Sequence, residues 1–195
     1  MLHIIGVAHR AQARKPSFEK TEAHKAFEAC LRSTIAEVQP VLVAEEDNEE
    51  FLTNRGEISI AKEIACEEDI EHRFCEPDKK ERSKIGSKNF SEIALELAMA
   101  ERLSDDELAI KARAIEIARY FPVRESFWLD QLNGCEDAAA IFVCGDIHIE
   151  SFTSLLEKKG VSYRIVKRGI GRTEQDAPYY EALRYLAEHP ELRNE

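Results

Sequence analysis

The chain has 195 residues, of which 44% are hydrophobic and 33% are charged. This composition excludes a disordered chain, and the length fits one globular domain with a sizeable core. The formal net charge of -11 excludes general nucleic-acid binding, because a phosphate backbone would be repelled. No apolar run approaches the length of about 18 residues that spans a bilayer, so we expect no membrane contact.

The start of the chain runs directly into strand-like sequence. It lacks the basic start, long apolar middle and cleavage site of a signal peptide, so we expect a cytoplasmic location. The five cysteines include no Cys-x-x-Cys pair, and we expect them to be reduced thiols.

The first quarter of the chain predicts a strand, a loop, a helix and a second strand. The first strand is His3–Val7, and the polar stretch Arg10–Lys20 predicts a loop. Apolar residues recur at helical spacing over Phe27–Val38, and Pro40 ends that helix. The continuous apolar run Val41–Ala44 is typical of a strand that is covered on both faces.

The middle of the chain predicts mostly helix. Apolar spacing indicates a short helix over Ile58–Ala65, and His72–Cys75 predicts a third strand. The basic stretch Lys79–Asn89 predicts an exposed loop or lid, and a further helix covers Phe90–Ala98.

A capping box, Ser104–Glu107, begins a long helix that runs to Tyr120. Pro122 is expected to kink or end this helix, because proline has no amide hydrogen. A second helical segment, Val123–Leu132, follows.

The last third of the chain alternates strands and helices. The strongest candidate for a buried strand is Ala138–Cys144, and the turn Gly145–His148 follows it. A helix over Ile149–Lys159, a strand over Ser162–Val166 and a final helix over Asp176–His189 complete the chain. Strands that alternate with helices predict an α/β fold with a largely parallel sheet and helices on both faces.

A short internal repeat indicates that the fold has two similar halves. The segment Ile4–His9 resembles the segment Phe142–His148. In each case a strand leads into a Gly-x-x-His motif, and a helix and a further strand follow it. We therefore expect one α/β domain over residues 1–195, with the two halves as pseudo-repeats.

Both histidines of the repeat, His9 and His148, follow apolar strands. Ligands of open parallel sheets bind outside the carboxyl ends of the strands, so the two imidazoles are expected in one cleft. A neutral imidazole can accept a proton from water or bind a metal. Glu45 and Glu46 follow the second strand and would point in opposite directions, so only one can face the cleft, and Glu45 is the predicted one.

Other residues are assigned weaker roles in the same cleft. Arg124 offers a planar fork of donors for an oxyanion or a substrate. Gly6 and Gly145 permit close approach of the backbone to a ligand, and Asp146 and Glu76 complete the predicted substrate contacts. The basic residues between Arg164 and Arg172 form either a solvated surface or a site for an anionic substrate group.

These motifs together resemble the superfamily of Tiki, TraB/PrgY, ChaN and erythromycin-esterase-like proteins. The resemblance rests on Gly6–His9, on Glu45, on Arg124 with Trp128, and on Gly145–His148. It implies an α/β fold of two similar halves whose Gly-x-x-His loops and acid face one cleft. Members include divalent-metal peptidases, metal-independent esterases that use histidine and glutamate, and a haem-binding lipoprotein.

Two classes of function follow from these expectations. In the first, the chain is a peptidase- or esterase-like hydrolase of a small-molecule or peptide substrate. His9, His148 and Glu45 either bind a divalent metal (Mn, Co or Zn) or activate water directly, and Arg124 stabilises the oxyanion. In the second, it is a non-catalytic protein that binds a small ligand or a partner, of a regulatory or immunity type. A homo-oligomer is compatible with either.

Overall fold

The computed structural model of the chain describes residues 1–134 and 138–193, without the side chain of Gln175. These residues fall into two compact units. The first comprises Met1–Asp78 and Phe127–Arg172, and the second comprises Lys79–Ser126 and the residues from Thr173 onward. The expectation of one domain over residues 1–195 stays a prediction.

Five of the strands form one parallel sheet in the first unit. The strands are β1 (Leu2–Val7), β2 (Ala13–Arg14), β3 (Leu42–Glu45), β4 (Ile58–Ser59), β5 (Glu71–Phe74), β6 (Ala140–Gly145) and β7 (Tyr163–Ile170). The parallel sheet has the order β5-β3-β6-β1-β7, and β2 and β4 form a separate antiparallel pair. The predicted α/β class with a largely parallel sheet is confirmed.

Helices make up most of the remaining structure. They are α1 (His9–Gln12), α2 (Glu22–Val38), α3 (Glu49–Arg55), α4 (Ile60–Glu67), α5 (Lys79–Ile85), α6 (Phe90–Ala100), α7 (Asp105–Ile115), α8 (Phe121–Gln131), α9 (Ile149–Lys159) and α10 (Ala177–Glu188). Among the described residues, none of these helices has both the length and the apolar character needed to cross a lipid bilayer.

The parallel sheet is covered on both faces by helices of the first unit. Odd-numbered strand residues such as Ile5, Val43 and Ile141 pack against α2 and α4. Even-numbered ones such as Ile4 and Phe142 pack against α8 and α9. This alternation follows from the pleat of a β-strand, and it decides below which acid of the chain reaches the site.

The strand order has the internal symmetry that the sequence repeat predicted. Exchanging β1 with β6, and β3 with β7, gives the same order of these four strands read from the opposite end of the sheet. Helix α2, which lies between β1 and β3 in the chain, covers one face of the sheet. Helix α9, which lies between β6 and β7, covers the other face. The two Gly-x-x-His segments therefore occupy equivalent positions on adjacent central strands.

The structure differs from the predicted elements at three places. The predicted loop Arg10–Lys20 contains the end of α1 and the strand β2, which pairs with β4. The predicted loop or lid Lys79–Asn89 begins with about two helical turns, α5, although no residue of this helix is buried. Helix α3 was not predicted; its signals are the Asn48 N-cap and the acidic first turn.

Pro122 is accommodated without a break in the helical path. The α-helix α7 ends at Ile115, and a π-helical segment, Glu116–Tyr120, leads directly into α8. Pro122 is the second residue after this π-helical segment, where the hydrogen-bonding pattern of the helix changes, so its missing amide hydrogen does not end the helix. The predicted change at Pro122 is thus a change of helix type rather than an end.

An arginine held between two aromatic rings organises the second unit. The Arg113 guanidinium carbon lies 4.2 Å from the centre of the Phe90 ring and 4.1 Å from that of Tyr179. Its Nη1 donates to the buried Glu116 carboxylate at 3.1 Å. This contact ties α6 and α10 to α7.

None of the cysteines at positions 30, 66, 75 and 144 forms a disulfide bond. Cys135 lies outside the described residues. The expectation of reduced thiols stays a prediction.

Candidate active site

The predicted site residues of the first unit lie at the carboxyl ends of the central strands. In the register of the sheet, Gly6 lies beside Cys144 and Val7 lies beside Gly145, while Glu45 lies beside Val143. The loops after β1, β3 and β6 therefore leave the sheet at the same edge, which is the edge where parallel sheets bind ligands.

Two imidazoles and one carboxylate meet at this edge. The Nε2 atom of His148 lies 3.3 Å from Oε1 of Glu46. The Nε2 atom of His9 lies 3.8 Å from the same oxygen. Residues that are far apart in the sequence thus converge on a single oxygen atom, and the predicted approach of the two histidines is present.

Backbone contacts hold Glu46 in place on both sides. Its own amide donates to the Val143 carbonyl at 2.8 Å, which extends the β3–β6 ladder by one residue. The Gly145 amide donates to Oε2 of Glu46 at 2.7 Å. A Cβ atom at Gly145 would lie 3.1 Å from His9 Nε2 and 3.2 Å from Glu46 Oε2. Glycine is therefore the residue that lets the two loops approach so closely.

His9 is the accessible member of the pair, since 52% of its side chain is exposed. Its Nδ1 atom lies 3.1 Å from Oε1 of Gln12, one helical turn further along α1. With Nδ1–H donating to that amide oxygen, Nε2 carries the lone pair and can accept a proton. Gln12, a fully buried residue, was not predicted from the sequence; its signal is the spacing of three residues after His9.

His148, in contrast, is buried, with 2% of its side chain exposed. The Trp128 ring packs edge-on against it with a centroid separation of 4.8 Å. The indole Nε1 of Trp128 donates to Oε2 of Glu76 at 2.9 Å. The predicted Glu76 thus takes part in the site through Trp128, which fixes the position of the His148 ring.

The structure brings Glu46, and not the predicted Glu45, to the two histidines. The side chain of Glu45 points to the opposite face of the sheet, where its Oε1 accepts from Ser59 Oγ and lies 2.8 Å from His72 Nε2. The physical reason is the alternation along β3, in which the odd-numbered residues face α4. The sequence identified that only one of the two acids could reach the cleft, but it did not identify which face held the cleft.

The remaining predicted residues have separate surroundings. Asp146 lies against Gly6: a Cβ atom placed on this glycine would be only 2.7 Å from Asp146 Oδ1. That oxygen also accepts from the Gly169 amide at 2.9 Å. Arg124 is buried in the second unit, with its guanidinium carbon 5.6 Å from the centre of the Phe121 ring. Its role toward a substrate stays a prediction.

The distances between the side chains of the site bear on whether they could hold a divalent metal. First-row metals hold nitrogen and oxygen ligands at about 2.0–2.2 Å. Two ligands of one tetrahedral ion at that bond length are themselves about 3.4 Å apart, so the distances of 3.3 and 3.8 Å from the two imidazoles to the Glu46 oxygen are compatible with an ion pair and with a shared metal. No group of three or more His, Cys, Asp or Glu side chains in residues 1–134 and 138–193 is arranged to hold a metal ion. The predicted divalent metal stays a prediction.

A third buried acid, Asp47, adjoins the site. Burial, with a smaller contribution from the neighbouring Glu45 charge, raises its pKa to about 6 against the opposing effects of the Asn48 amide, Arg55 and His9. The raised pKa means that the fold disfavours the ionised carboxylate.

This shift predicts a pH-dependent stability that Asp47→Asn removes. The ordinary carboxyl, with a pKa of 3.8, ionises first in the unfolded chain, so the contribution of Asp47 to stability falls between pH 3.8 and about 6. The fall is about 3 kcal/mol in the free energy of unfolding. Urea denaturation across this pH range checks it, with Asp130→Asn, an exposed aspartate, as the control. Equal pH slopes in wild type and Asp47→Asn would contradict the shift.

Comparison of the chain with protein-family models, with characterised proteins and with solved structures gives no match. The resemblance to the Tiki and TraB superfamily therefore stays a prediction that rests on the motifs themselves.

Proposed function

We propose that the chain is a hydrolase of ester or peptide bonds in which His9 is the general base. The observation that carries this proposal is the convergence of the His9 and His148 Nε2 atoms on one oxygen of Glu46. A half-exposed imidazole can take a proton from water, and a buried carboxylate beside it can stabilise the imidazolium that forms.

The chemistry is a single proton cycle. Nε2 of His9 takes a proton from a water molecule as the water oxygen attacks the substrate carbonyl. The Glu46 carboxylate stabilises the imidazolium that forms, because opposite charges attract strongly in a buried setting. The imidazolium then returns its proton to the leaving group, which restores the resting state.

The other residues keep Glu46 and His9 in position. Gln12 sets the tautomer of His9, and the Gly145 amide fixes the second oxygen of Glu46. His148, supported by Trp128, orients the first oxygen. Arg124 lies in the second unit, and its role toward an oxyanion stays a prediction from the sequence.

The direct test is hydrolysis of a panel of para-nitrophenyl esters and dipeptide para-nitroanilides by the purified chain. Activity above the buffer rate that is lost in His9→Gln supports the proposal. A silent panel, with wild type no faster than buffer, would contradict it and favour the non-catalytic binding protein.

Removal of metal ions is predicted to leave activity unchanged. Because the base is an imidazole and not a metal-bound hydroxide, dialysis against EDTA is expected to change kcat/KM by less than about two-fold. The measurement compares untreated protein, dialysed protein, and dialysed protein with Mn, Co or Zn added back. Loss on dialysis with recovery on adding one of these metals would instead support the metal-dependent alternative.

A further inference from the structure

Helix α6 of the second unit is more apolar than its burial explains. Eight of its eleven residues are apolar, in the order Phe-Ser-Glu-Ile-Ala-Leu-Glu-Leu-Ala-Met-Ala, yet Ile93 is the one residue of this helix that is buried. Leu95 and Met99 are 64% and 82% exposed. A helix with apolar residues on most sides is normally covered on most sides. The described part of the chain leaves one side of α6 uncovered, and an exposed apolar surface of this kind indicates a binding partner.

One side of α6 packs within its own unit. Phe90, Ile93 and Leu97 are spaced by three and four residues, so they lie on the same face of the helix. The ring of Phe90 stacks on Arg113 of α7, with 4.2 Å between its centre and the guanidinium carbon. This face of α6 is therefore occupied by α7.

The opposite side of α6 is an exposed surface of small and apolar residues. We call Ser91, Leu95, Ala98 and Met99 the open face, and all four are exposed. Ser91, Leu95 and Ala98 are spaced by four and three residues, which is the spacing of the seam between two paired helices. Met99 lies one turn beyond Leu95 and widens the apolar area. The open face thus has the pattern of a helix that packs against another helix.

The open face has opposite charges at its two ends. Glu92 lies in the first turn of α6, where its Oε2 accepts from the Asn89 amide at 2.8 Å. Arg102 follows the last turn; it is exposed, and no other described residue forms an ion pair or a hydrogen bond with its side chain. The charge of the adjacent Glu101 is balanced by Lys111, whose Nζ lies 2.6 Å from Oε2. A surface with an acid at one end and a base at the other is complementary to a reversed copy of itself.

We propose that the open face is a homodimer interface, on which α6 of a second copy of the chain lies antiparallel. A two-fold axis joins the same surface of both copies, so each residue contact is formed twice. In an antiparallel pair, the first turn of each helix lies beside the last turn of the other. Each Glu92 therefore meets the partner's Arg102, while the apolar residues of the two open faces pack together. Two helices of about three turns make a small interface, so we expect a dissociation constant in the micromolar range.

The charges of α6 favour a second copy over a lipid surface. Helices that lie on membranes carry Lys and Arg beside their apolar face, because anionic headgroups attract these residues. The charged residues within α6 are instead two acids, Glu92 and Glu96. The net charge of -11 adds to the repulsion from such a surface. Between two copies of the chain, the same net charge is screened beyond about 8 Å at physiological ionic strength.

Sedimentation velocity of the full chain at physiological ionic strength tests the dimer. Between about 1 and 500 μM, the wild type is expected to pass from monomer to dimer, and Leu95→Glu to dimerise at least ten-fold more weakly. Phe18→Glu is the matched control and is expected to dimerise like wild type. Phe18 lies in the first unit and is 66% exposed, so the same charge enters at a similar apolar position. A wild type that stays monomeric, or equal dimerisation of wild type and Leu95→Glu, would overturn the proposal.

Charge reversal tests the antiparallel arrangement. Glu92→Arg and Arg102→Glu are each expected to weaken the dimer, because like charges then meet across the two-fold axis. An equimolar mixture of the two variants is expected to form a heterodimer with nearly the wild-type affinity, because both charge pairs are again opposite. Circular dichroism checks that each variant keeps its helices, since Glu92 also caps α6. Two folded variants that do not associate on mixing would contradict the arrangement. If Glu92→Arg does not fold, the result for Leu95→Glu decides on the interface.

Flotation with phosphatidylcholine vesicles tests the rival occupant. The wild-type chain is expected to stay with the soluble fraction at every lipid concentration, as Leu95→Glu does. A monomeric wild type that floats with the vesicles, together with a Leu95→Glu variant that does not, would assign the open face to a lipid surface and overturn the dimer.

Discussion

Replacement of His9 by glutamine is expected to lower kcat/KM for ester hydrolysis by about 10²–10⁴-fold, with little change in stability. The loss is that of a general base, because a glutamine amide cannot take a proton from water at neutral pH. The stability is expected to hold because half of the His9 side chain is exposed, and removing it leaves no buried cavity. Steady-state kinetics and thermal unfolding of the same preparation give both quantities.

The control for this variant is His189→Gln. His189 has a comparably exposed side chain, at 41%, and likewise lies beside a glutamate, Glu191, in the second unit. Its replacement is expected to leave kcat/KM within about two-fold of wild type. If His9→Gln also stayed within that range, His9 would not be the base.

The second large effect on kcat/KM is expected for only one of two adjacent buried glutamates. Glu46→Gln is expected to reduce kcat/KM by about 10²-fold or more, because the neutral amide cannot stabilise the imidazolium of His9. Glu45→Gln is expected to leave kcat/KM within about three-fold, since the Glu45 side chain lies with Ser59 and His72 on the other face of the sheet. Both changes keep the size of the side chain, so they remove charge with little change in packing.

The comparison is informative because the two residues are adjacent in the sequence and are both buried. Neither Glu45 nor Glu46 exposes more than a few per cent of its surface, so a nonspecific effect of removing a buried charge would appear in both variants. Thermal unfolding of both proteins reports that effect separately from kinetics. Equal losses of activity in the two variants would contradict the assignment of Glu46.

Much of the fold could be predicted from the sequence, because buried strands and amphipathic helices leave clear periodic patterns. The runs at Val41–Ala44 and Ala138–Cys144 are wholly apolar, and their residues within β3 and β6 are buried on both faces of the sheet, which made them recognisable. Helix α1 and strand β2 could not be recognised, because they are too short for periodicity and depend on pairing with β4.

The two histidines of the site could be predicted for a different reason. Their loops follow two adjacent strands of a sheet with internal symmetry. The sequence repeat therefore indicated that His9 and His148 lie close together. The choice between Glu45 and Glu46 could not be made, because it depends on which face of the sheet α9 and Trp128 cover. The spacing of Gln12, three residues after His9, becomes a signal only once the short helix α1 is known, since their contact requires the helical turn at the end of β1.

The central claim, that His9 and His148 share the Glu46 carboxylate, is tested most directly by nuclear magnetic resonance of the histidine side chains. In ¹⁵N-labelled protein, Glu46→Gln is expected to move the imidazole resonances of both His9 and His148 and to leave those of His72 in place. Glu45→Gln is expected to do the reverse. If Glu46→Gln left the His9 and His148 resonances unchanged, the two imidazoles would not meet at this carboxylate.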